Sequence, residues 1–172
     1  LKSPTRRLAI KNQLVTKRLA AIEYFGKSNQ LKLFGRGWDN LKILPLVWQK
    51  RLGKVIQKLK PEPIEDKLKT IANYKFAICF ENVSYLGCLT EKIFDCFVAG
   101  VIPIYLGAPD IEKYIPSQAF INMGSFKSFR DLEKFLEKIN QKDAEKIITA
   151  GRNFLQSSEG KLYSYEGVAK FI

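Results

Sequence analysis

Residues 74–107 read YKFAICFENVSYLGCLTEKIFDCFVAGVIPIYLG, and this stretch decides the fold. KFAICF at 75–80 is an almost unbroken apolar run. Such a run of strand length, with no polar alternation, marks a strand buried on both faces. A polar loop follows (Glu81, Asn82, Ser84), and then TEKIFDCFVAG at 90–100. Thr90 stands where an N-cap belongs and Gly100 where a helix stops, while Ile93, Phe94, Phe97 and Val98 supply an inward face. VIPIYLG at 101–107 is a second buried strand. Strand, helix, strand in so few residues is a βαβ unit, which requires a parallel pair.

Outward from this unit the alternation continues. AFINM at 119–123 reads as a third strand, and 128–139 and 143–156 as amphipathic helices. On the N-terminal side, 14–25 carries Leu14, Leu19, Ile22 and Phe25 near helical spacing. LKLFG at 31–35 reads as a short strand that meets the Gly35-Arg36-Gly37 turn. Residues 41–60 mix basic and apolar types without a decisive period. The 59–63 region, with its Pro-Glu-Pro, is linker-like, and 64–73 reads as a helix with Ile64, Leu68 and Ile71 on one face. The expected fold is α/β, a Rossmann-like parallel sheet with helices on both faces, and residues 1–172 are expected to form a single domain.

Composition sets limits on function. The 172 residues carry 29 Lys and Arg against 17 Asp and Glu, a net charge of +12, with no histidine. A histidine zinc site, a Ser-His-Asp triad and a histidine general base are therefore excluded within these residues. The charge is uneven: residues 1–60 hold 15 basic side chains and only Glu23 and Asp39 as acids. Such a lobe suits an anionic partner, whether phosphorylated molecule, membrane surface, nucleic acid or acidic domain. Cys79, Cys88 and Cys96 show no CxxC spacing and read as free thiols of a reducing compartment. No run nears the roughly 18 apolar residues of a membrane span. The first residue is Leu1, which suggests a piece of a longer chain.

The chemistry is expected in the loop between the first strand and its helix, beyond the carboxyl ends of the strands. A helix N-terminus offers N–H groups and the positive end of a dipole, which suits phosphate. Lys92 in the first turn opposes that dipole, a conflict that a diphosphate in front of the helix would remove. Glu91 could accept hydrogen bonds from sugar hydroxyls. An ordinary reading also accounts for these residues, with Thr90 as cap, Glu91 as dipole partner and Lys92 as a solvated side chain. There is no GxGxxG and no GxxxxGK[ST].

The order of these motifs is similar to that of a known family. YKFAICFEN, GCLTEKIFDCFVAGVIPIYLGAPDIEKYIP and AFINM, ungapped from Tyr74 to about Met123, resemble the donor-binding half of the α-1,3/4-fucosyltransferases. Upstream, TKRLAAIEYFGK and LKLFGRGW at 16–38 resemble that family's arginine-bearing helix and following strand. The resemblance implies the C-terminal half of a two-domain GT-B-type glycosyltransferase, which transfers fucose with inversion from GDP-fucose to a hydroxyl of N-acetylglucosamine or glucose. It places Arg18 and Lys92 on the donor diphosphate, Asn82 on the donor and Glu91 on the ribose hydroxyls. Glu81, Tyr85, Cys88 and Thr90 are further donor-site candidates. It implies no cofactor and no metal; two cations and a helix N-terminus would stabilise the leaving diphosphate. The general base and most acceptor contacts are expected in an N-terminal domain that would precede Leu1, and none of Glu81, Asp110 or Glu112 is nominated as base.

Cys88 departs from the pattern, which has a tyrosine two residues before Thr-Glu-Lys. A thiol is shorter and a poorer donor than a phenol. The implied compartment is cytoplasmic or peripheral to the inner membrane for a bacterial protein, and the Golgi membrane for a eukaryotic one. The competing readings are a non-catalytic nucleotide-sugar binder and a polyanion-binding module, suggested by the basic first third with Trp38 and Trp48. No nucleic-acid motif accompanies that charge.

Overall fold

A computed structural model describes residues 11–38 and 40–163. The chain separates into two compact units, Leu1–Lys67 and Leu68–Ile172. The division falls just after the linker-like 59–63.

The first unit is built on two helices, α1 (Val15–Lys27) and α2 (Leu46–Leu59). The undecided stretch at 41–60 thus resolves largely into a helix. It buries Trp48, Leu52, Val55 and Ile56 against Leu19 and Ile22 of α1. Gly26 permits the close approach, since a Cβ there would lie 2.5 Å from Val55 Cγ1. The expected strand at 31–35 is reduced to one parallel bridge, Phe34 with Glu62, and Gly35 N–H donates to Glu62 C=O at 2.9 Å. Two left-handed glycines, Gly35 (φ 108°) and Gly37 (φ 90°), turn the chain away at once. A groove of about 900 Å³ in this unit is bordered by Arg36, Trp38, Lys42 and Lys60.

The helix expected at 64–73 forms only at α3 (Lys67–Ile71). The second unit holds β1 (Phe76–Phe80), α4 (Glu91–Ala99), β2 (Ile102–Leu106) and β3 (Ile121–Asn122). Helices α5 (Phe129–Lys138) and α6 (Gln141–Gln156) and a short α7 (Ser158–Lys161) follow. The three strands form one parallel sheet in the order β1-β2-β3, with Phe76 opposite Ile102 and Ile104 opposite Ile121. The third strand is shorter than AFINM suggests, because 3-10 turns at Ser117–Ala119 and Met123–Ser125 enclose it.

Ile102, Pro103, Ile104 and Tyr105 are all buried. Consecutive strand residues face opposite ways, so both faces of β2 are covered. One face, with Cys79 and Tyr105, shares a core with Ile93, Cys96 and Phe97 of α4 and Phe154 of α6. Gly151 lets α6 reach α4, since a Cβ would sit 2.6 Å from the Phe97 ring. Gly100 ends α4 in the left-handed region (φ 70°), as its place in the sequence suggests. Ser128 and Asn140 cap α5 and α6 by accepting from Asp131 and Asp143 amides. Of the cysteines, Cys79 and Cys96 are buried and Cys88 half-buried, all as free thiols. The hydrogen bond with Cys96 and burial push the Cys79 thiol well above its ordinary range.

Candidate functional site

Because β1 and β2 run parallel, their carboxyl ends open on the same side, and the loop 81–90 lies there. Glu81 continues the ladder past β1, its N–H donating to Leu106 C=O at 2.8 Å. The loop is then tied to the turn after β2. Ser84 Oγ donates to Gly107 C=O at 2.8 Å, and the Gly87 N–H donates to Asp110 Oδ1 at 2.9 Å. Tyr114 O–H reaches the other Asp110 oxygen at 3.3 Å. The Gly87 amide, chief among these contacts, holds the Asp110 carboxyl below the usual range. Gly87 has φ 66° in the turn closed by Cys88 N–H on Tyr85 C=O. Tyr85 and Leu86 stand exposed at its tip.

The chemistry gathers at Glu81, which is only 1% exposed. Its Oε1 accepts from the Thr90 amide at 3.1 Å and lies 2.7 Å from Thr90 Oγ1. Its Oε2 accepts from Lys92 Nζ at 2.7 Å. Lys92 also donates to Thr90 Oγ1 at 2.8 Å. A hydroxyl can accept from one partner while donating to another, so the three side chains close a ring of hydrogen bonds. A buried carboxylate with an ammonium and two further donors is fully compensated, which an isolated one would not be.

This arrangement alters two expectations. Thr90 occupies the N-cap position in extended backbone, yet its hydroxyl makes no cap bond to the helix. The Glu81 carboxylate captures it instead. Nor does Lys92 need an outside anion to offset the helix dipole, because Glu81 already supplies the negative charge. Glu91 opens α4 with an exposed side chain, and Asn82 is likewise exposed on the loop. The structure therefore brings Glu81, Thr90 and Lys92 into contact, with Asn82, Tyr85, Cys88 and Glu91 on the same loop and helix start. Arg18, half-buried in the first turns of α1, belongs to the first unit.

Gly107 was not among the candidates. A Cβ there would meet Tyr105 Oη at 2.2 Å and Glu81 Cγ at 2.6 Å. The glycine thus makes room for the Glu81 side chain and for a buried tyrosine whose oxygen accepts from Ala108 N–H at 2.9 Å. Burial pushes that phenol up to about 12. Among the described residues no group of three or more Cys, Asp or Glu side chains gathers where it could hold a metal ion, and no helix is long and apolar enough to cross a membrane.

The chain is similar to several known proteins. The α-(1,3)-fucosyltransferase FucT of Helicobacter pylori is 30% identical over 106 residues, which cover 62% of this chain and 22% of that protein. The α-(1,3)-fucosyltransferase 4 of Bos taurus is 35% identical over 85 residues, 48% of this chain and 21% of the other. Among solved structures, an α1,3-fucosyltransferase with GDP-fucose aligns at 29% identity and a TM-score of 0.47, over 62% of this chain and 29% of that one. The chain thus spans less than a third of each of these three proteins. The sequence profile of the C-terminal region of glycosyltransferase family 10 (fucosyltransferase) matches residues 3–147, and the chain belongs to that family.

Proposed function

We propose that residues 1–172 are the donor-binding part of an inverting α-1,3/4-fucosyltransferase of GT-B type, which takes GDP-fucose and transfers its fucose to a glycan hydroxyl. The observation that carries this reading is Lys92, held at the start of α4 beyond the carboxyl ends of two parallel strands. An ammonium has three N–H bonds. Glu81 and Thr90 take two, and the third is left for a phosphate oxygen. As the glycosidic bond breaks, negative charge grows on the departing GDP, and fixed donors at that point favour its departure.

In this reading Lys92 and Arg18 meet the diphosphate, Glu91 takes the ribose hydroxyls and Asn82 contacts the donor. No metal is assigned a part. The base that deprotonates the acceptor is not assigned to Glu81 or Asp110. The first is buried under three donors, and the second is held ionised by the Gly87 amide. Burial keeps an acceptor hydroxyl away from Glu81, and a carboxyl held below its usual range, as at Asp110, is a weak base. The base and the acceptor contacts are assigned to an N-terminal domain of the whole enzyme.

Titration calorimetry with GDP-fucose, GDP and ADP tests the donor assignment. Binding of the first two with weak or absent ADP binding is expected. Equal affinity for all three, or a steep salt dependence on RNA with no GDP competition, would favour the polyanion reading instead. A peripheral membrane contact is assigned to exposed Ile43, Leu46 and Val47 beside Lys42 and Lys50 in the acid-poor first unit. Cosedimentation with anionic but not neutral vesicles is the expected result, and Leu46→Glu should abolish it.

A further inference from the structure

We propose that Glu81 is a positioning residue for the donor site, one that acts through Lys92 rather than on the nucleotide. The proposal rests on the donor reading of Lys92 and adds a part for a side chain that no ligand could reach directly. Glu81 is 1% exposed, whereas Lys92 is 22% exposed at the side chain. A lysine at the end of four rotatable bonds is a poor fixed charge, because it spends most of its time elsewhere. Here it is held from two sides, at 2.7 Å by Glu81 Oε2 and at 2.8 Å by Thr90 Oγ1. Thr90 is itself fixed by the same carboxylate through both its amide and its hydroxyl.

The carboxylate in turn is immobile. Its backbone is pinned in the sheet by Leu106, and its Cγ fills the space that Gly107 leaves open. The chain of contacts thus runs from the rigid strand end, through Glu81, to an ammonium whose remaining N–H is aimed rather than sampled. This has a cost as well as a gain. The Glu81–Lys92 pair carries no net charge, so the lysine attracts a diphosphate less from afar than a lone cation would. Its contribution comes at short range, through orientation.

A double-mutant cycle on the full-length protein, read by calorimetry with GDP, tests this. Glu81→Gln should weaken GDP binding about tenfold, the scale of one charge-assisted hydrogen bond, with unfolding by urea still cooperative. In a Lys92→Met background the same change should leave GDP affinity unaltered, because the group it positions is gone. An equal loss in both backgrounds, or no loss in the first, overturns the positioning role. If Glu81→Gln does not fold, Thr90→Val supplies the second cycle. It is expected to weaken GDP about threefold in the parent and not at all beside Lys92→Met. Equal losses there overturn the proposal too. Failure of the unmutated protein to bind GDP would remove the donor reading and this role with it. Tight GDP binding by both the parent and Glu81→Gln would remove this role alone.

Discussion

Among the described residues, each unit buries one carboxylate beside a lysine, and the two do different work. In the first, Glu23 on α1 is 8% exposed and accepts from Lys27 Nζ and Arg51 Nε, each at 2.8 Å. Arg51 also lies 4.5 Å from the Trp48 ring centroid. Those two cations are 62% and 49% exposed, spread over the surface of the α1–α2 pair. In the second, Glu81 is deeper, and its lysine is drawn in with it. Glu23 uses mobile surface charges to hold two helices together; Glu81 uses a rigid strand end to hold one charge still. A buried acid next to a basic residue is thus not itself a sign of function. The exposure and freedom of the cation tell the two apart.

Several changes would break or sharpen that contrast. The largest effect is expected from Gly107→Ala, which forces a methyl into the space of Tyr105 and Glu81. A loss of about 3 kcal/mol in urea unfolding is expected, because the atoms it meets are fixed. Lys92→Ala should approach the same size, about 3 kcal/mol, since it strands a buried carboxylate, and should weaken GDP about tenfold. Arg51→Ala removes one of two exposed partners from Glu23 and is expected to cost about 1 kcal/mol or less by the same measurement. Similar losses for Lys92→Ala and Arg51→Ala would erase the distinction.

A pH titration tests the Glu23 side of the comparison. Burial opposes ionisation of Glu23, but hydrogen bonds from Arg51 and Lys27 outweigh it and lower the folded value. The stability this gives is present above the carboxyl's unfolded value and disappears as pH falls through the folded one. Glu23→Gln should therefore flatten the acid side of a plot of urea midpoint against pH, and an unchanged slope would show that the pair contributes nothing. The smallest effect is expected at Cys88. Restoring the family's tyrosine with Cys88→Tyr should tighten GDP about fivefold, one neutral hydrogen bond's worth. No change, or weaker binding, would reject that account of the departure.

The parts of the fold legible in the sequence were those whose burial is local and periodic. VIPIYLG is apolar because both faces of β2 are covered, and Gly100 marks a helix end because few other residues adopt φ 70°. KFAICF is covered less fully than its run suggests: Cys79 and Phe80 are buried, but Phe76, Ala77 and Ile78 are half-buried on a strand paired, among the described residues, only with β2. At 31–35 the apolar alternation is present, but Gly35 and Gly37 leave room for no more than one bridge. The stretch 41–60 hid its helix because the exposed apolar Leu46 and Val47 and the mid-helix Gly53 mask the period that Trp48, Leu52, Val55 and Ile56 carry.

The site was half legible for a similar reason. Thr90, Glu91 and Lys92 are neighbours, so their placement on a helix start could be read directly. The link from Lys92 back to Glu81 crosses eleven positions and depends on the path of the loop. Thr90 looked like a cap because composition cannot show which acceptor or donor its hydroxyl prefers once a buried carboxylate stands nearby.

The tethers from Ser84 to Gly107 and from Gly87 to Asp110 carry a kinetic consequence. A loop fastened at two points to a neighbouring turn has already lost most of its conformational entropy before any ligand arrives. Nucleotide association should then follow one exponential phase whose rate rises linearly with concentration. A loop that closed after binding would instead show a plateau. Cutting one tether with Asp110→Ala should introduce that plateau while leaving the β1–β2 pairing intact.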